Sequence, residues 1–145
     1  MIMSNNSHLN KTYLNNAWQK YEVANYLLKT TYPAVKDPKL LLTVLSNIHS
    51  SLQEAMNYLL GPQLTFREKL ADLQRKGIKI NFIQELHEIL ESHQKSPLEF
   101  TRQNKFIICN DNYNLRYLTA DKIKEFLTQN EIFLKKIDAL LQPKE

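Results

Sequence analysis

Apolar residues return every three or four positions through most of this chain, and the breaks in that rhythm divide it into elements. Leu14, Ala17, Tyr21, Ala24 and Leu28 line one face of a helix predicted from His8 to Tyr32. Pro33 closes it, because the residue before a proline is pushed out of helical backbone. Asp37 and Pro38 restart the chain: the carboxylate suits the free amides of a first turn, and the proline suits its first position. Leu41, Leu45, Ile48, Leu52, Ala55 and Leu59 then step by four and three until Gly61-Pro62, where Gly61 can adopt a left-handed cap. Thr65 with Glu68, and Asn81 with Gln84, have capping-box spacing and open two shorter helices. The first ends at Gly77. The second carries Ile83, Leu86, Ile89 and Leu90 inward and ends before Ser96-Pro97.

At Phe106 the period changes. Phe106-Ile107-Ile108-Cys109 is β-branched and aromatic, Asn110-Asp111-Asn112 is turn chemistry, and Tyr113 to Leu118 alternates, which predicts a small hairpin. A lone hairpin is marginal in water, so it must lie against the helices. Alternation puts Tyr113, Leu115 and Tyr117 on one face, a core pattern with an aliphatic residue between two rings. Thr119 caps a last helix with Ile123, Leu127, Asn130, Leu134, Ile137 and Leu141 in step, widened by Phe126 and Phe133. The predicted fold is mainly α: a helical bundle of about five helices with a small β-hairpin before the last helix. Residues 1–7 are a flexible lead and 8–145 a single domain.

With 145 residues, 43% hydrophobic and 23% charged, the chain can bury a core without staples. Cys109 is its only cysteine, which excludes an internal disulfide or a zinc site of paired thiolates. The start, MIMSNNSH, lacks the pattern of a signal peptide, and no apolar run approaches a membrane span, so the expected compartment is the cytoplasm and no membrane partner is expected. The net charge of +4 is spread without a basic block; it permits nucleic acid as a partner without demanding it.

With two glycines there is no phosphate-cradling loop, and no serine sits in a nucleophile elbow. His87 and Glu91 stand one helical turn apart, with Glu85, Glu88 and His93 nearby, but a solvated helix face has the same composition. His49 is likewise expected on the surface, opposite the apolar seam. Counted from Asn110 as a calcium loop, the run has Leu115 where the sharp turn needs glycine and Asp121 where a bidentate glutamate belongs. It reads as a turn. Cys109 reads as a small buried hydrophobe. No catalytic residue, cofactor or metal is assigned.

The remaining texture is basic and aromatic: Phe100, Arg102, Lys105, Phe106, Tyr113, Arg116 and Tyr117. Rings stack on unpaired bases while cations meet phosphates, so Arg102, Lys105, Tyr113, Arg116 and Tyr117 form a candidate single-stranded nucleic-acid site. The competing expectation is that the rings pack the hairpin onto the bundle. Apolar positions off the main seams (Trp18, Tyr26, Leu42, Val44, Met56 and Leu60) either widen the core or form a subunit interface.

The first sixty residues, a tyrosine-bearing helix with Leu27-Leu28, the Pro33 break, Asp37-Pro38 and a helix ending Ala55-Met56-Asn57-Tyr58-Leu59-Leu60, resemble the HEPN superfamily. The resemblance implies a small helical bundle, often dimeric, in a group with many RNases and toxin–antitoxin partners. The RNases of that group carry an Arg followed four to six residues later by His. None of Arg67, Arg75, Arg102 or Arg116 has a histidine at that distance. The leading expectation is a non-enzymatic interaction module, a homodimer or a docking partner of another protein. RNA binding through residues 100–118 comes second, and a HEPN-like nuclease or antitoxin-type partner third.

Overall fold

A computed structural model describes residues 2–141, with side chains from 11 to 140. The expected flexible lead and the predicted core position Leu141 therefore lie, as side chains, outside the described residues. The chain runs α1 (Ile2–Tyr26), a π-helical turn (Leu27–Thr31), α2 (Tyr32–Val35), α3 (Leu40–Leu60), α4 (Phe66–Arg75) and α5 (Asn81–Lys95). Strands β1 (Leu98–Arg102), β2 (Lys105–Cys109) and β3 (Leu115–Leu118) follow, and α6 (Ala120–Leu141) closes it. The mainly α bundle with a small β element before its last helix is the architecture observed.

The periodic stripes meet in one cluster. Leu14, Ala17, Tyr21, Ala24 and Leu28 pack with Leu41, Leu45, Ile48, Leu52 and Ala55 and with Ile123, Leu127, Leu134 and Ile137. Leu42, Val44 and Met56, off the main seam, are buried there too, so they widen the core instead of facing a partner. Trp18 is half-buried, and its Nε1 donates to Asp138 Oδ2 at 3.1 Å, tying α1 to α6. Tyr26 stays exposed. At the centre Ser51 Oγ donates to Ala17 O at 2.7 Å and accepts from Asn130 Nδ2 at 3.0 Å, one polar link joining α1, α3 and α6.

Several boundaries depart from the pattern. Pro33 does not stop the first helix: Tyr32 N–H donates to Leu27 O, five residues back, and the helical path continues to Lys36 in left-handed backbone (φ 52°). The π turn inserts one residue, so the proline ring is not driven into the carbonyl four residues before it. Asp37 accepts from Lys39 N at 3.0 Å as expected, but α3 begins at Leu40, after a turn through Pro38 and Lys39, so Pro38 is not its first position. Gly61 has φ 88° but ψ 152°, an extended exit instead of a left-handed cap. The capping box of Thr65 and Glu68 is formed. The one at Asn81 is not: Asn81 is already helical, and buried Ile80, which makes no side-chain cap, holds the N-terminal position.

The expected hairpin is part of a three-stranded antiparallel sheet ordered β1-β2-β3. β1 escaped the pattern because its turn is Gln103-Asn104, both at positive φ (51° and 65°). That is the two-residue hairpin geometry usually signalled by Asn-Gly. No described helix is long and apolar enough to cross a membrane.

Candidate binding face on the sheet

Directly paired residues of an antiparallel sheet point to the same side, and neighbours along a strand to opposite sides. The register places Thr101–Phe106–Leu118 and Glu99–Ile108–Arg116 on one face. Phe106, Ile108 and Leu118 are buried in the helical core, so this face is the inner one. Two of its polar members reach α5: Glu99 Oε2 lies 2.5 Å from His93 Nδ1, and Arg116 lies 3.8 Å from Glu88.

The other face carries Leu98–Cys109–Leu115, Phe100–Ile107–Tyr117 and Arg102–Lys105. Ile107 and Cys109 on this face are also buried, although neither belongs to the helical core cluster. Phe100 (36% exposed) and Tyr117 (51%) stand on either side of Ile107 (4%), so two rings flank a recessed floor. Two strand spacings separate their backbones by about 10 Å. Lys105 Nζ lies 5.6 Å from the centre of the Tyr117 ring. None of the eight residues is acidic.

Of the five candidate residues, Arg102, Lys105 and Tyr117 thus share one surface. Arg116, next to Tyr117 in the strand, necessarily points the other way. Tyr113 is not in a strand: it sits at φ 64° in the turn and is 84% exposed. That turn is self-contained, since Asn110 Oδ1 accepts from the amides of Asn112 and Asn114, each at 2.9 Å. The expected core pattern is corrected as well. Leu115 and Tyr117 face outward, because Phe106, Ile108 and Leu118 present the greasier side to the helices. Phe100 completes the ring pair, and only the register of β1 shows it; in the sequence it was one aromatic among several.

A second cluster also corrects an expectation. His49 and His87 are half-buried and meet, Nε2 to Nδ1 at 3.0 Å, while Phe66 stacks on His87 with centres 4.0 Å apart. Helical periodicity sees only a helix's own face, and it missed that α4 and α5 cover this one. Burial, then the neighbouring His87, lowers the His49 pKa to about 4, so it is neutral near pH 7. One ring donates and the other accepts. His87 Nε2 is 3.6 Å from Glu91, beside a cleft of about 560 Å³ that Arg67 and Glu88 also line. No group of three His, Cys, Asp or Glu residues able to hold a metal occurs among the described residues. Comparison with protein-family models, curated proteins and solved structures finds no match.

Proposed function

We propose that this chain is a binding module that holds single-stranded RNA against the outer face of its sheet. The observation that carries the reading is the row Phe100–Ile107–Tyr117 beside Arg102–Lys105: two exposed rings over a recessed floor, next to two cations and no carboxylate. Aromatic faces accept unpaired bases of any sequence, and the adjoining cations meet the phosphates. The HEPN-like layout of the first sixty residues points the same way, since many members of that group act on RNA.

Fluorescence anisotropy with labelled oligouridylate tests it. Affinity falls steeply between about 50 and 200 mM salt as counterions are released. Phe100→Ala and Tyr117→Ala each weaken binding by roughly tenfold, within the about 1–3 kcal/mol of one base stack. Arg102→Gln and Lys105→Gln each reduce the salt slope by about 0.7. Arg116→Gln, on the opposite face, leaves binding unchanged. Absence of saturable binding at low salt, or indifference to both ring substitutions, overturns the reading.

The wholly apolar row Leu98–Cys109–Leu115 favours a second reading, self-association through the same face. In that case light scattering shows a concentration-dependent dimer that Leu115→Glu dissolves.

A further inference from the structure

We propose a second, separate site, a cleft at the other end of the helical body that binds a long-chain carboxylate. The cleft, about 770 Å³, lies between the end of α3, the loop joining α4 to α5, and the last turns of α6. Its volume falls within the range of about 300–1,000 Å³ typical of small-molecule sites. Phe133 and Ile137 are buried, Leu59 and Ile78 half-buried, and Leu140 remains 72% exposed.

The charged lining is of one sign. Lys76 and Lys79 come from the loop and Lys136 from α6, all exposed, and among the described residues no Asp or Glu lines the cleft. Lys76 pairs with Asp72 at 3.5 Å. Lys79 and Lys136 have no ion-pair partner among the described residues. Apolar walls with two unpaired ammonium groups complement a ligand that is apolar along its length and anionic at one end. Among the described residues, the side chains lining the cleft carry no hydroxyl, amide or carboxylate, so they offer nothing to orient the polar edges of a base or sugar. A saturated chain needs no such partners.

The test uses the full chain and palmitate, with displacement of a fluorescent fatty acid as the readout. Saturable, stoichiometric binding is expected. It weakens roughly tenfold in the Lys79→Glu/Lys136→Glu variant, and hexadecanol binds worse than palmitate by a similar factor, because a charge-assisted contact is lost in both cases. Both lysines are exposed, so a circular dichroism spectrum and melting temperature like those of the parent confirm that the variant is folded. Phe100→Ala and Tyr117→Ala leave palmitate binding intact, which separates this site from the sheet. Three results overturn the proposal: no saturable binding, equal affinity for the alcohol, or affinity unchanged in the charge variant. Cosedimentation with anionic vesicles in the absence of palmitate binding overturns it in favour of a membrane surface.

Discussion

Single residues here are decided by what neighbouring elements bring to them. His49 has a depressed pKa, so its neutral form is the one the folded state favours. Between its unfolded value of about 6.5 and its folded value of about 4, the unfolded chain binds the extra proton. Stability is therefore fully present above about pH 6.5 and is lost as pH falls through that window. At about 1.36 kcal/mol per unit the contribution is at most about 3 kcal/mol. Urea unfolding at pH 7 and at pH 4 should show a loss greater in the parent than in His49→Gln by about 2 kcal/mol; an equal loss would show that the pair does not couple to folding. Ser51 and Asn130 make the same point without charge. Asn130 stands in the predicted stripe of its helix and Ser51 outside that of its own, yet each is wholly buried because three helices converge there.

Elements owe their limits to local chemistry of different reliability. The capping box at Thr65 forms because both reciprocal bonds lie within one turn, Glu68 N to Thr65 Oγ1 at 3.1 Å and Thr65 N to Glu68 Oε1 at 2.8 Å. The same spacing at Asn81 fails because burying Ile80 moves the chain entry by a residue. The two glycines end helices in different ways. Gly77 donates to Gln74 O while Ile78 donates to Leu73 O, the paired bonds of a Schellman ending. A Cβ at Gly77 (φ 84°) would meet nothing within 4 Å, so Gly77→Ala should cost only backbone strain, about 1 kcal/mol. Gly61 combines positive φ with extended ψ, a region essentially reserved to glycine, so Gly61→Ala should cost more, about 2–3 kcal/mol. Thermal or urea unfolding of the two variants gives the order directly.

At the scale of the whole molecule, the sheet is attached to the bundle by one face. α3 carries nine buried residues, from Leu41 to Met56, and lies at the centre of the cluster. β1 is an edge strand in which every residue but Glu99 is exposed. Stability is graded accordingly, with few buried contacts and an open edge marking the units that open first. Native-state hydrogen exchange should find the slowest amides in α3 and much faster exchange in β1; comparable protection in the two would show that sheet and helices open as one unit.

The helices and their inward stripes were legible in the sequence because their determinants are local. A 3.6-residue period, a threonine three residues before a glutamate and a glycine after the last apolar position all act within a few residues of each other. What escaped depends on residues far apart along the chain. Which face of the sheet turns outward is set by competition between Phe106-Ile108-Leu118 and Ile107-Tyr117 for the same helical surface, and single-strand alternation assigns partners to a side without saying which side wins. The register of β1 joins Phe100 to Tyr117 and separates Tyr117 from Arg116. The meeting of His49 with His87, and the placing of Lys79 and Lys136 on one cleft, likewise require helices to be packed in space. Burial and encounter between distant residues are properties of that packing, so the main helices and the β2–β3 hairpin were written in the sequence, but β1 and the meeting of distant side chains came only with the tertiary structure.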